Sequence, residues 1–148
     1  MQDRANELLR SGNASVKRVP LATALAKSTT READFLVPYV CDLENVVDME
    51  TIRAAGVDLG VEPLGGASGL YWDAIGAVYN VPIAVTNPVV DPTFSFMTVD
   101  HEGKIRTDPS SPYAMARLAG LEERFRVVVA NDADADRHGI VTRSAGPR

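Results

Sequence analysis

Residues 126–142 read R-V-V-V-A-N-D-A-D-A-D-R-H-G-I-V-T. Arg126 to Ala130 is a short, valine-rich run of the kind that fills a buried strand, and Ile140-Val141-Thr142 begins another. Between them Asp132, Asp134 and Asp136 stand at alternate positions. Carboxylates this close in sequence repel one another unless a positive charge sits among them. The small residues Ala133 and Ala135 let the loop curl so that the carboxylates converge. Oxygen-only donors suit a hard cation, Mg2+ first, then Mn2+ or Ca2+. The competing reading is an acidic surface turn whose aspartates cap backbone amides. A calcium EF-hand loop does not fit, because Arg137 stands where its glycine belongs, Arg143 where its bidentate glutamate belongs, and the flanks are strand-like. Beside such a cation site the Arg137 guanidinium suits a phosphate that also contacts the ion, a combination that suggests phosphoryl transfer. Its alternative role is a salt bridge that holds the loop.

Upstream, Pro112 to Leu121 has a helical pattern, with Pro112 in the first turn and Ser111 placed as N-cap. Phe94 to Val99 alternates and meets Asp100-His101-Glu102-Gly103-Lys104 before Ile105 and Arg106, which predicts a surface turn or hairpin with His101 exposed. Val81 to Val90, rich in Val, Ile and Pro, predicts a short strand leaving through Asn87-Pro88 and Asp91-Pro92. Val57 to Val61 alternates and runs into Glu62-Pro63-Leu64-Gly65-Gly66-Ala67-Ser68-Gly69, after which Leu70 to Tyr79 is helical. That is strand, glycine turn and helix. The turn resembles a phosphate cradle but lacks the Lys-Ser/Thr of a P-loop and the full dinucleotide fingerprint, so a structural role is favoured.

Strands alternating with helices predict an α/β fold, a mixed sheet of about four strands covered by helices. Ahead of it, Ala33 to Ala55 predicts helices broken near Asp48 and stopped at Gly56, and Gln2 to Leu9 a short helix ended by Ser11-Gly12-Asn13. The composition shift places a helical N-terminal segment at 1–55 and an α/β, cation-binding domain at 56–148.

With 148 residues, 45% hydrophobic and 24% charged, the chain has material for one core. A net charge of -5, a pI of about 5.0 and no Lys/Arg block argue against nucleic acid as a partner. No apolar run reaches membrane-span length and the N-terminal stretch has no signal-like core, so neither a membrane nor export is expected, and a cytoplasmic setting fits. The single cysteine, Cys41, leaves no internal disulfide or multi-cysteine zinc site, and its apolar surroundings predict a buried thiol.

The 131–141 segment N-D-A-D-A-D-R-H-G-I-V resembles the D-G-D-G-D-R metal loop of the α-D-phosphohexomutases, in the form found in bacterial phosphoglucomutases. The resemblance extends in order through Tyr39-Val40-Cys41-Asp42-Leu43, Val46-Val47-Asp48-Met49, Glu62 to Ser68 with Tyr71-Trp72, Asp91 to Phe94 with Phe96-Met97, and Gly103 to Arg106. Most of the chain is covered, by the second domain of a four-domain enzyme.

The resemblance implies that Asp132, Asp134 and Asp136 bind Mg2+, with Mn2+ possible, and that Asp136 and Arg137 lie on the substrate side, Arg137 against the sugar phosphate. It implies a phosphoryl group passing between an enzyme phosphoserine and a glucose 1- or 6-phosphate, through a bisphosphate. The phosphoserine motif T-x-S-H-N-P, the G-E-E-S-type sugar loop and the S-G-T-E-type phosphate loop are all missing from these residues, so no catalytic nucleophile is assigned here and the chain alone is expected to be inactive. Its partners would be hexose phosphates, the bisphosphate and the remaining domains of the same enzyme. Alanines replace the loop's usual glycines and are expected to stiffen it. Ser110 and Ser111 lack a His-Asn-Pro context and suit helix capping, and His138 is limited to a contact beside the metal loop. The alternatives are a stand-alone, non-catalytic divalent-cation module and a metal-dependent phosphatase, the latter without a complete set of catalytic groups. An interface cut from its neighbours would expose apolar area, so self-association is expected.

Overall fold

A computed structural model of the chain describes residues 1–143 and shows a four-stranded sheet in the order β2-β1-β3-β4. β1 (Leu59–Glu62) pairs in parallel with both β2 (Ile83–Val85) and β3 (Val127–Asn131), and β4 (His138–Thr142) returns antiparallel along β3. The register sets Glu62 beside Ala130 and Asn131 opposite His138, so β1 and β3 end side by side where the acidic loop begins. That is the edge at which open parallel sheets carry their sites. The α/β, mixed-sheet expectation holds.

Parallel neighbours need crossovers. The first is α5 (Gly69–Tyr79), which ends on Asn80 in the left-handed region at φ 52°. The second, from β2 to β3, contains α6 (Pro112–Met115) and two 3-10 turns, Ala116–Leu118 and Leu121–Glu123. Leu64, Met97, Ala114, Leu118, Val128 and Ala130 form the buried core, with Phe94, Phe96 and Phe125 packed against it. Gly60 of β1 passes Phe125 so closely that a Cβ would lie 2.6 Å from the ring.

By contact, the chain divides into a unit Met1–Ala33 and a second unit beginning at Asp34. The first holds α1 (Gln2–Arg10) and α2 (Leu21–Leu25), neither of which contains a buried residue. In the second, α3 (Leu36–Asp42) rests on α5, where Tyr79 Oη donates to Val40 O at 2.7 Å and the Tyr39 and Tyr71 rings meet edge to face. α4 (Met49–Ala55) starts as expected at Asp48, whose side chain accepts from Thr51 N, and stops at Gly56 in the left-handed conformation. The composition change at residue 56 therefore does not coincide with the break in packing, because the helices just before it are tied to α5.

Several local expectations are corrected. Cys41 is exposed: it follows buried Val40 on α3, and one residue along a helix turns the side chain about 100° away from the packed face. The strand expected over Val81 to Val90 shrinks to Ile83–Val85, bounded by Pro82 and by Thr86, whose hydroxyl turns to Val61 O and Glu62. The hairpin after Phe94 is a single bridge, Val99 to Ile105, closed by a turn in which Asp100 accepts from the backbone of Glu102 and Lys104. The helix expected over 112–121 tightens into a 3-10 turn after Met115 and ends before Gly120, at φ 82°. Ser111 does stand at the N-cap of α6 but makes no side-chain capping bond.

Candidate metal centre

The acidic loop is the connection of the β3–β4 hairpin, residues 132–137. Asp132 is buried at 1% exposure, its N–H donates to Arg137 O at 3.3 Å, and its C=O accepts from Ala135 N at 3.1 Å. Ala135 completes the turn in the left-handed region at φ 64°, a conformation that costs an alanine about 1–2 kcal/mol. Asp134 and Asp136 remain exposed, and one oxygen from each of Asp132, Asp134 and Asp136 lies within 4.8 Å of the others. Among the described residues these are the acidic side chains that converge closely enough to hold a cation.

The strand-to-helix turn after β1 supports the loop from beneath. A Cβ on Gly66 would lie 2.6 Å from Ala133 Cα and 2.6 Å from Ala133 O, so only glycine lets the two backbones meet. Ala67 N donates to that carbonyl at 2.9 Å, and Trp72 Nε1 to Asn131 Oδ1 at 3.0 Å. Leu64 at φ 49° and Gly65 at φ 74° form the bend, and Leu64 N donates to the buried Glu62 carboxyl, whose pKa is raised by burial. The glycine turn is thus structural, as expected, but its partner is the acidic loop, which sequence spacing alone does not reveal.

Arg137 lies across the aspartates. Its Nε donates to Asp132 Oδ2 at 2.8 Å and to Asp136 Oδ1 at 3.3 Å, its backbone N–H donates to Asp132 Oδ1 at 3.0 Å, and Nη1 donates to Asp108. Burial opposes ionisation of Asp132, yet the Arg137 backbone N–H, the bond with Asp136 and the guanidinium charge outweigh it and hold its pKa below the ordinary value. Asp136 moves the other way, raised first by its hydrogen bond to Asp132 and further by the charge of Asp134, against the pull of Arg137. A carboxyl whose ionisation is opposed by its carboxylate neighbours marks a concentration of negative charge, and an all-oxygen donor set with that charge fits a hard divalent cation.

Nothing in the sequence singles out Asp108, where T-D-P-S-S-P looks like an ordinary Asp-Pro turn. Its carboxylate accepts from Ser110 N at 2.8 Å, a bond that heads the causes lowering its pKa. His138 is exposed as the first residue of β4, and His101 is exposed on its turn.

An α/β sheet whose third strand opens into converging carboxylates and an arginine defines the class as an α/β domain with a candidate divalent-cation loop. More narrowly, the chain belongs to the family described as phosphoglucomutase/phosphomannomutase, alpha/beta/alpha domain II, whose model matches residues 37–146. It is 49% identical over 142 residues to a phosphoglucomutase of Komagataeibacter xylinus, covering 96% of this chain and 26% of that protein. A crystal structure described as that of a putative phosphomannomutase from Thermus thermophilus shares the fold at a TM-score of 0.60 and 22% identity, over 74% of this chain and 24% of that one. The chain thus spans about a quarter of the length of these relatives. Among the described residues no helix is long and apolar enough to cross a membrane.

Proposed function

We propose that this chain supplies the divalent-cation loop of a phosphoglucomutase that interconverts glucose 1-phosphate and glucose 6-phosphate through a phosphoserine and a bisphosphate intermediate. The serine and most sugar contacts would come from other domains of the same cytoplasmic enzyme. The observation that carries this is the convergence of Asp132, Asp134 and Asp136 within 4.8 Å, beside Arg137, in a chain of this family. These aspartates would hold Mg2+, or Mn2+. Bound there, the ion supplies charge neutralisation for phosphoryl oxygens.

This chain's own residues would hold the loop and face the phosphate. Buried Asp132 anchors the loop, while exposed Asp134 and Asp136 offer oxygens to the outside. The Gly66 turn fixes the loop backbone, which supports catalysis by preorganisation. Arg137 presents planar, charged donors matched to a sugar phosphate, and Asp136 adjoins it on the substrate side.

Turnover of glucose 1-phosphate tests the proposal. The isolated chain is expected to give none. Joined to the domains that carry the phosphoserine it is expected to be active, with activity lost in Asp134→Asn. Activity insensitive to that substitution would overturn the proposal. Cation binding without mutase activity in either context would instead favour a stand-alone cation module.

A further inference from the structure

Arg137 is shared between two sets of carboxylates. Nε and Nη2 both lie 2.8 Å from Asp132 Oδ2, and Nε is 3.3 Å from Asp136 Oδ1, so the guanidinium draws on oxygens that a cation would need. Nη1 reaches the opposite way, to Asp108, which lies 29 residues earlier and outside the converging trio.

Asp108 is held in place without Arg137. Its Oδ1 accepts from Ser110 N at 2.8 Å. The segment around it docks on β4 at Gly139, where a Cβ would lie 3.1 Å from Pro109 Cβ and 2.9 Å from Met115 Cε. The bare glycine lets Pro109 and Met115 close on the strand, and this brings the Asp108 carboxylate to the loop's edge.

We infer that Asp108 is a positioning residue for Arg137, retaining the guanidinium when a divalent cation takes over the oxygens of Asp132 and Asp136. Released on one side and held on the other, the arginine keeps Nε and Nη2 free for an anion such as a phosphate. Without Asp108, the guanidinium is left with Asp132 and Asp136 as its carboxylate partners among the described residues, and stays on them as a competitor of the ion. This rests on the cation-loop function proposed above.

A double-mutant cycle on the 148-residue chain tests it, with Mg2+ and Mn2+ affinities measured by calorimetry for wild type, Asp108→Asn, Arg137→Met and the double variant. Asp108→Asn is expected to weaken binding about tenfold when Arg137 is present and less than about twofold when it is Met, the coupling expected of groups in one ion-pair network. Equal weakening in both backgrounds would mean that Asp108 acts as a plain negative charge, and would overturn the inference while leaving the cation loop intact. A wild type that binds neither ion would overturn the cation loop itself. In the unmutated chain, the Arg137 Nε–H NMR resonance is expected to shift as Mg2+ saturates, and an unmoved resonance in a chain that binds Mg2+ would also overturn the exchange.

Discussion

Gly66→Ala isolates the contact between the glycine turn and the acidic loop. Gly66 has no left-handed backbone to strain, so the effect comes from the added methyl group alone. That methyl would stand 2.6 Å from Ala133 Cα and O and 2.8 Å from Ala133 C, where ordinary contact needs about 3.5 Å or more. One of two backbones, neither of which can rotate away as a side chain would, must retreat by roughly 1 Å. Overpacking of this kind costs about 1–3 kcal/mol, which corresponds to roughly 4–15 °C in Tm for a unit of this size. A metal site tolerates only about 0.2 Å of ligand displacement, so Mg2+ affinity is expected to fall by more than about tenfold. Gly69→Ala is the matched control. Its Cβ meets only Pro63 Cγ at 3.8 Å, at the first residue of α5, and it should stabilise by up to about 1 kcal/mol with cation binding unchanged. Thermal melts with Mg2+ calorimetry on both variants provide the assay. Equal Tm and equal Mg2+ affinity for the two alanine variants would refute the claim that the turn holds the loop.

Two further outcomes follow from the same structure. Ala135→Gly removes a left-handed alanine at φ 64° and, after allowing for the greater freedom of glycine in the unfolded chain, should raise stability by roughly 0.5–1 kcal/mol in a denaturant melt; a lower midpoint would contradict this. The Asp100 pKa is lowered from 3.8 to about 2, first by its hydrogen bond with Arg106. The folded value lies below the unfolded one, so its contribution to stability is complete above about pH 4 and is lost as pH falls toward 2; Asp100→Asn should flatten Tm against pH in that window, and an unchanged slope would contradict the pairing.

The parts of the fold legible in sequence were those whose signal is local. The valine run before Asn131, the acidic loop and the strand after it needed only period and composition, and Asp48 and Gly56 mark the ends of α4 through capping chemistry. Elements set by distant partners were hidden. β2 stops after Val85, where the backbone N–H and hydroxyl of Thr86 close on Val61 O and the hydroxyl also reaches Glu62, contacts with β1 that no window around Val81 to Val90 contains. α2 is too short to show a period. The exposure of Cys41 is not readable from its apolar neighbourhood, which does not say which face of a short helix is packed. At the site, the carboxylate trio and Arg137 were readable from spacing. Gly66 beneath Ala133 and Asp108 opposite Arg137 were not, since each is joined to the loop only by the folded sheet.

Isothermal titration of Mg2+ into the wild-type chain and into Asp134→Asn tests the cation loop most directly. Asp134 is exposed and takes no part in the Asp132–Arg137 pairing, so the substitution removes a proposed ligand oxygen without unbuttoning the loop. Saturable binding by the wild type that the variant loses is the expected result. Binding of equal strength in both proteins, or none in the wild type, would contradict the assignment of these aspartates to a metal.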